Sequence, residues 1–407
     1  MAKVYKKSSR NGTVSLYLGK RDFVDHVDKV EDVDGVIQVN TSALDGRRAF
    51  VSLSCTFRYG SEDLDVCGLK FRKDIWVRRQ QVYPVTGEQR PANTAMQQAL
   101  LKKAGEDAYA FTFTIPTNLP CSVALQPGPD FAGKACGVDF EVKAYIANEA
   151  DNPDEEISRK DTTRLLIRKI QFAPDKLGAG PEAKITKKFL MSDQPIQLIA
   201  STDRELYYHG DPIPISVKII NKSNKVVRKV RITIEQTANV VLYSADKYTK
   251  VVLCEEYPDQ IQPSATHEKE YQVTPLLINN KGKIGLALDG KLKDEDTNLA
   301  STSIIRSNGE KDVLGILVSY TIKVTAVTSG KIKELVGNLL NSGVTVEMPL
   351  VLMSPKPAER TSRWSSLSHQ NSLSLDDQYE EIDIRRNTEI DFPDVKSCHK
   401  PSTCSVS

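Results

Sequence analysis

The chain lacks the long hydrophobic runs that a membrane-spanning helix needs. No uninterrupted apolar stretch approaches the ~18–20 residues required to cross a bilayer, and the opening Met-Ala-Lys-Val-Tyr-Lys-Lys has no apolar core of a signal peptide. The seven cysteines are far apart and show no Cys-x-x-Cys spacing, which is typical of reduced thiols rather than of a disulfide framework. We therefore expect a cytoplasmic protein.

The sequence also lacks an excess of charge of either sign. It contains 55 lysines and arginines against 53 aspartates and glutamates, a formal net charge of +2 at pH 7. A chain that binds nucleic acid or a membrane surface through its overall charge would be more basic. We expect no nucleic-acid partner, and any anion must be recognised by local clusters of cations.

Motifs of catalytic and cofactor-binding sites are missing too. The sequence contains no phosphate-binding Gly-x-x-x-x-Gly-Lys-Ser/Thr loop and no Gly-x-Ser-x-Gly nucleophile motif. Its five histidines never occur at the spacing of metal ligands, and Cys398-His399 lies in a polar terminal segment that could not pre-organise a nucleophile. We expect a protein that is not an enzyme, with no cofactor and no metal site.

Alternation of apolar and polar residues is abundant instead. Apolar side chains recur at every second position from Val51 to Phe57, from Val138 to Ile146 and, over the longest stretch, from Ile316 to Ala326. This period of two is typical of antiparallel sandwiches in which each sheet has one packed face. The predicted fold class is all-β, with two antiparallel, immunoglobulin-like β-sandwich domains.

One short α-helix is predicted to interrupt the strands of the first domain. Asn93 can cap its start, Gly105 can end it, and Met96, Leu100 and Ala104 form one apolar stripe. A helix this short is marginal in water. We therefore expect the helix to pack against a sheet.

Composition divides the chain into four parts. Residues 1–173 form the predicted first sandwich, residues 174–183 a linker rich in proline and glycine, and residues 184–353 the second sandwich. Beyond them the sequence is serine-rich without a sustained period, which predicts a mostly disordered regulatory tail over 354–407. A short docking strand near 379–386 is the expected exception.

The stretch from Leu288 to Leu299 departs from the strand pattern, because acidic side chains and lysines crowd a loop that follows an apolar run. Two interpretations are open. The loop is solvated, or Asp289 and Asp296 turn inward and require a buried cation. In the second interpretation a cation is required because a buried carboxylate without a counterion is energetically costly.

Cations recur in short clusters near predicted strand ends. Each cluster alone is typical of a solvated strand end, but gathered on one face the clusters would bind several phosphate groups. The clusters are Lys6-Lys7, Lys20-Arg21, Lys102-Lys103, Arg168-Lys169, and Lys291 with Lys293. A separate loop over 60–71 carries apolar residues among acids, so it is either tucked against the protein or exposed for a partner.

Taken together, these segments resemble the arrestin family. The likeness extends over about residues 1–353 and rests on many motifs in the same order. The motifs include Val4-Tyr-Lys-Lys7, Tyr17-Leu-Gly-Lys-Arg-Asp-Phe-Val-Asp-His-Val27, Asn118-Leu-Pro-Cys-Ser-Val-Ala-Leu-Gln-Pro-Gly-Pro129, Arg164-Leu-Leu-Ile-Arg-Lys169, Leu288-Asp-Gly-Lys-Leu-Lys293 and Glu295-Asp-Thr-Asn-Leu-Ala300.

The resemblance implies two cup-shaped, arrestin-like sandwiches with the tail folded back onto the first, in a cytoplasmic protein recruited to receptor-bearing membranes. It implies binding to activated, phosphorylated G-protein-coupled receptors, which stops coupling to the G protein. Contact with the membrane would then be peripheral, through the receptor. Whether the chain forms a homo-oligomer stays open.

The family motifs also assign roles to individual residues. A polar core would act as a latch that phosphates open by competing for its arginine. Its implied members are Asp22, Arg168, Asp289, Asp296 and a tail arginine, Arg386 or, with the strand shifted by one residue, Arg385. The implied phosphate-binding residues are Lys6, Lys7, Arg21, Lys103, Arg164, Arg168, Lys169 and Lys293. The implied receptor-contact loop presents Leu64, Asp65, Val66 and Leu69, and the implied tail dock consists of Val4, Tyr5, Met96, Leu100, Ala104, Tyr379 and Ile384.

Two absences point to the visual branch of the family. The tail lacks an acid-flanked Leu-Ile-Glu-Leu segment, so it does not support clathrin binding, and Glu235 stands where non-visual members carry a phosphoinositide-binding arginine. The start of the chain and Val240-Val-Leu-Tyr-Ser244 most resemble cone-type members, so the expected receptor is an opsin. The alternative is a non-visual, endocytic and signalling scaffold. A trafficking adaptor that shares only the fold is disfavoured by the acid–arginine motifs.

Overall fold

The computed structural model contains four β-sheets, which form two sandwiches. The structure describes residues 2–59, 71–86, 91–126, 136–149, 157–172, 178–189, 192–242, 245–290, 297–304, 314–328, 343–354 and 379–383. Within these ranges it has a single α-helix, and no helix there is long and apolar enough to cross a membrane.

The first sandwich combines a five-stranded and a seven-stranded sheet. The strands of the smaller sheet, in spatial order, are β21 (Tyr379–Asp383), β1 (Ala2–Ser8), β2 (Val14–Leu18), β4 (Val33–Val39) and β7 (Ala108–Phe113). The larger sheet runs β18 (Ala287–Asp289), β8 (Val123–Leu125), β9 (Cys136–Ala147), β10 (Thr162–Gln171) and β3 (Asp22–Asp25), and β9 also pairs with β5 (Arg48–Tyr59), which pairs with β6 (Phe71–Tyr83).

The second sandwich combines a four-stranded and a five-stranded sheet. The smaller sheet runs β11 (Glu182–Lys187), β12 (Ile196–Thr202), β14 (Ile213–Asn221) and β17 (Ala265–Val273). The larger sheet runs β13 (Leu206–Tyr208), β20 (Gly343–Met353), β19 (Gly315–Thr328), β15 (Val227–Val241) and β16 (Ala245–Tyr257).

The alternation in the sequence builds the hydrophobic core. Along β19, every second residue from Ile316 to Ala326 is at most 2% exposed. In β5, Val51, Leu53, Cys55 and Phe57 belong to the hydrophobic core, and the intervening Ser52, Ser54 and Thr56 are buried on the other face. Burying one such large apolar side chain stabilises the fold by ~1.5–3 kcal/mol, so the repeated pattern fixes which face of each strand is inside. The all-β prediction is confirmed.

Three strand pairs are parallel, in contrast to the antiparallel arrangement of the other pairs described. They are β1 with β21, β3 with β10, and β13 with β20. Parallel neighbours cannot be joined by a tight hairpin. Each of these pairs therefore brings together residues that are distant in sequence, and the first two pairs position the candidate site.

The helix α1 (Ala95–Ala104) begins one residue later than the sequence predicts. Thr94, not Asn93, is its cap: the Thr94 hydroxyl accepts from Gln97 N at 3.2 Å, and the Gln97 side chain accepts from Thr94 N at 2.9 Å. This reciprocal capping box satisfies two otherwise unpaired donors, an advantage that Asn93 does not offer. Gly105 follows the last turn with a positive φ, as predicted.

The helix packs on the smaller sheet of the first sandwich. Leu100 is 1% exposed and clusters with Val4, Tyr17 and Val36, and Met96 packs against the same cluster. Tertiary packing of this apolar stripe compensates for the low intrinsic stability of a short helix.

Candidate functional site

A buried arginine–aspartate pair lies where β3 and β10 run side by side. The parallel register places Arg168 directly beside Asp22. Arg168 Nε donates to Asp22 Oδ1 at 2.6 Å, and Nη2 donates to Oδ2 at 2.7 Å. Such a bidentate, charge-assisted pair is strong and geometrically specific. The Arg168 side chain is only 7% exposed, whereas that of Asp22 is 34% exposed, so the pair can be approached from the aspartate side.

The acidic loop meets this arginine through its backbone. Arg168 Nη1 donates to the Gly290 carbonyl oxygen at 3.2 Å, and Gly290 N donates to Ser122 O at 2.9 Å. A Cβ atom at position 290 would lie 2.6 Å from the Ser122 Cβ. Glycine is therefore required for the loop to approach β8 this closely. This approach places the Gly290 carbonyl oxygen within hydrogen-bond distance of the Arg168 guanidinium.

Asp289 turns inward, and the described hydrogen bonds of its carboxylate are to serines. The residue is 8% exposed; its Oδ1 accepts from Ser301 N at 3.0 Å and its Oδ2 accepts from the Ser354 hydroxyl at 2.9 Å. Of the open interpretations, the solvated loop does not fit Asp289. Among the described ion pairs, however, the carboxylate beside Arg168 is that of Asp22. Asp296, Arg385 and Arg386 lie outside the described residues.

Lys169 points away from Arg168, because successive side chains of a strand face opposite sides. It is 1% exposed; its Nζ forms an ion pair with Asp25 and donates to Leu119 O at 2.9 Å. Burial acts to lower the pKa of Lys169, but Cys121 and Asp25 more than offset this effect and raise it above the ordinary value. Lys169 is among the predicted phosphate-binding residues, but its ammonium group already pairs with the buried carboxylate of Asp25.

Other cations of the predicted phosphate site gather around β1. Lys6 Nζ lies 5.3 Å from the centre of the Tyr17 ring, and the Arg21 guanidinium lies 5.5 Å from that of Tyr5. Arg21 also donates through Nε to Leu166 O at 2.8 Å, and Lys7 is half-buried on β1. A cation over an aromatic ring is attracted by the ring, which helps to hold these side chains in place beside β1.

The remaining predicted cations are more dispersed. Lys103 is exposed in the last turn of the helix, where a cation also complements the helix dipole. Arg164 is exposed and lies 3.5 Å from Glu141. Lys293 and the whole receptor-contact loop, with Leu64, Asp65, Val66 and Leu69, lie outside the described residues.

The tail strand β21 pairs with the edge of the sheet that carries the Lys6-Lys7 doublet. The parallel register places Tyr379 opposite Ala2 and Asp383 opposite Lys6. On the same sheet, Val4 is buried against Leu100 of the helix. The predicted strand over 379–386 is thus described up to Asp383, and Ile384 lies beyond the described residues.

The structure also shows a row of basic side chains that the sequence analysis missed. Lys143 on β9 lies directly opposite Arg164 on β10, and Ser52 on β5 pairs with both Lys143 and Arg79 on β6. Burial lowers the pKa of Lys143, Glu141 opposes this effect, and the neighbouring arginines lower it further. Each strand looks ordinary in sequence, and only the register between strands reveals the row.

Both halves of the chain match models of one protein family. The model described as "Arrestin (or S-antigen), N-terminal domain" matches residues 14–173, and the model described as "Arrestin (or S-antigen), C-terminal domain" matches residues 192–357.

Individual relatives agree with these matches. Arrestin-C of Lithobates pipiens is 52% identical over 361 residues, which cover 89% of this chain and 92% of that protein. Arrestin-C of Sus scrofa is 53% identical over 364 residues, with the same coverage. Arrestin red cell isoform 3 of Oncorhynchus mykiss is 52% identical over 357 residues, 88% of this chain and 85% of that protein.

Proposed function

This chain belongs to the arrestin family, and from that premise we propose that it binds activated, phosphorylated G-protein-coupled receptors and blocks their coupling to G proteins. The observation that carries the proposal is the Arg168–Asp22 pair. It is buried on the arginine side and half-open on the aspartate side, and Arg168 N donates to the carbonyl oxygen of Arg21, one of the cations around β1, at 2.7 Å.

The physical chemistry of this pair suits a switch better than a general stabiliser. A buried ion pair adds little net stability, yet removing one member typically costs ~3–5 kcal/mol. A phosphate group carries about −1.5 to −2 charges at neutral pH, more than one carboxylate. A receptor phosphate guided by Lys6, Lys7 and Arg21 would therefore compete with Asp22 for the Arg168 guanidinium.

Competition at Arg168 would also weaken the contacts of the acidic loop and of the tail. Arg168 donates to Gly290 in the loop, and β21 pairs with the strand that carries Lys6. Loss of these contacts would shift the population between two packings of the sandwiches. In this proposal Asp289, Asp296 and Arg386 or Arg385 complete the latch, and the loop with Leu64, Val66 and Leu69 enters the activated receptor.

We further propose that the receptor is an opsin, because the sequence resembles cone-type members and the chain is similar to Arrestin-C proteins. The charge pattern around Glu235 supports this branch. Lys323 lies 3.1 Å from Glu235 and 3.0 Å from Glu347, so this lysine already pairs with two carboxylates. A lysine paired in this way, beside a glutamate, is poorly suited to bind the phosphoinositide expected of non-visual members.

A binding assay with four receptor states tests the proposal: dark or illuminated opsin, each with and without phosphates. Because two weak contacts act together, the illuminated and phosphorylated state should bind at least about tenfold more tightly than either state that offers one contact. Equal binding to dark or to unphosphorylated opsin would contradict the proposal. A clathrin pull-down with the full chain tests the alternative, since strong capture would favour the non-visual scaffold.

A further inference from the structure

The acidic loop closes on itself through a short two-stranded neck. Ala300 N donates to Ala287 O at 3.0 Å, Leu288 and Leu299 form an antiparallel bridge, and Asp289 N donates to Asn298 O at 3.1 Å. On its other edge the first neck strand, β18, pairs with β8 of the first sandwich. The neck therefore fixes where the loop leaves the fold and where it returns.

A buried glutamine of the second sandwich binds the outgoing side of this neck. Ala287 N donates to Gln236 Oε1 at 2.7 Å, and Gln236 Nε2 donates to Ala287 O at 2.8 Å. The side-chain amide thus makes the same pair of hydrogen bonds to Ala287 that a neighbouring strand would make. Gln236 is 1% exposed and Ala287 is fully buried, so water cannot replace these bonds.

A buried tyrosine binds the returning side. Tyr320 lies directly opposite Gln236 in the pairing of β15 with β19. Its hydroxyl donates to Ala300 O at 2.5 Å and accepts from Gln236 Nε2 at 2.8 Å. Burial raises the pKa of Tyr320 far above its ordinary value, so the hydroxyl keeps the proton that it donates.

One cross-strand pair of the second sandwich thus holds both ends of the loop. We propose that Gln236 and Tyr320, the neck clasp, are positioning residues that couple the second sandwich to the latch. The inference rests on the proposed function. Gly290, which accepts from Arg168, lies three residues beyond the clasped Ala287. A rigid-body movement of the second sandwich would therefore move the loop relative to Arg168.

The clasp makes a specific demand on side-chain chemistry. The side chain at position 236 must accept a hydrogen bond from Ala287 N and donate one to Ala287 O. A side-chain amide does both, and its second N–H donates to the Tyr320 hydroxyl. Each buried group left without its partner incurs the desolvation cost of that group. Loosening the clasp should therefore let the loop leave Arg168 more often in the resting protein.

Tyr320→Phe is the direct test, because it removes only the hydroxyl. We expect faster hydrogen exchange in peptides that cover 286–290 and 297–301, and binding of illuminated, unphosphorylated opsin that rises about fivefold, the lower end of ordinary coupling between sites. Tyr207→Phe is the matched control: Tyr207 is also buried in the second sandwich, and its described side-chain hydrogen bond is to Asp203 rather than to a neck residue.

The outcomes separate a positioning role from general packing. The proposal is overturned if Tyr320→Phe loses thermal stability as Tyr207→Phe does but retains the full phosphate requirement, or if exchange at the neck is unchanged. Gln236→Met, which has nearly the same volume, provides a second variant if Tyr320→Phe fails to fold. Arg168→Glu is assayed alongside, and a phosphate requirement in that variant would refute the proposed function rather than the clasp.

Discussion

Arg168 and Lys169 are neighbours in sequence, yet their side chains lie on opposite faces of β10 and in different surroundings. Arg168 shares a bidentate bond with the part-exposed Asp22, whereas Lys169 is enclosed with Asp25, Leu119 and Cys121. Burial raises the pKa of the Cys121 thiol to about 12, with Lys169 opposing this effect. Another anion can replace the carboxylate of a part-exposed pair, whereas the carboxylate of an enclosed pair is out of its reach. We therefore propose that Arg168–Asp22 acts as the switch and that Lys169–Asp25 stabilises the fold.

The enclosed pair should therefore matter for stability. Lys169→Met leaves Asp25 buried without its counterion and should lower the free energy of unfolding by ~3–5 kcal/mol. Replacing both residues by apolar ones of similar volume should recover most of that loss. Urea denaturation measures both variants. Lys218→Met is the control: Lys218 forms an ion pair with Glu268, their side chains are 43% and 68% exposed, and its removal should cost less than ~1 kcal/mol.

The pH dependence of this contribution follows from the sign of the shift. The pKa of Lys169 in the folded protein is raised above its ordinary value of 10.5. The pair's contribution is therefore fully present below that value and is lost as the pH rises through the folded-state pKa. Wild type should lose more stability at alkaline pH than the double apolar variant, and equal losses would contradict the assignment.

At the scale of elements, β1 lies between β2 and the tail strand β21, so without β21 it would be the edge strand of its sheet. An uncovered sheet edge presents unpaired amide and carbonyl groups. The tail covers this edge in the resting protein, and a receptor segment that competes for it would find the Lys6-Lys7 doublet on the same strand. The tail is thus held by backbone hydrogen bonds that a competing chain can reproduce.

Truncation tests the role of β21. A chain that ends at residue 378 should exchange the amide hydrogens of residues 2–6 about tenfold faster than wild type, equivalent to ~1.4 kcal/mol of local stability. A chain that ends at 386 retains the strand and serves as the control. Equal exchange in the two truncated chains would show that β21 does not protect β1.

The sequence allowed prediction of those elements whose signal is local. Alternation predicted the sandwich strands, and the capping residues predicted the helix to within one residue of its start. The insertion of β18 beside β8 could not be predicted, because Ala287–Asp289 is too short to carry a periodic signal. The serine contacts of Asp289 were missed for a related reason: Ser301 and Ser354 approach it only through the tertiary fold.

At the scale of the whole molecule, the acidic loop connects the two sandwiches. Its neck pairs with β8 in the first, is clasped by Gln236 and Tyr320 of the second, and its Gly290 meets Arg168. A change at Arg168 can therefore affect both sandwiches, because the loop alone links Arg168 to Gln236 and Tyr320 in this set of contacts. In the proposed mechanism, the pair formed by the buried Arg168 and the part-exposed Asp22 keeps the molecule in its resting packing until a phosphate displaces the aspartate.

Reversing the charge at Arg168 tests this mechanism. Binding of Arg168→Glu to illuminated, unphosphorylated opsin should exceed that of wild type by about tenfold or more, which corresponds to a population shift of ~1.4 kcal/mol. Adding Asp22→Arg should restore the pair and with it the phosphate requirement, as a double-mutant cycle demands of residues in contact. An Arg168→Glu variant that folds and still binds only phosphorylated opsin would contradict the account.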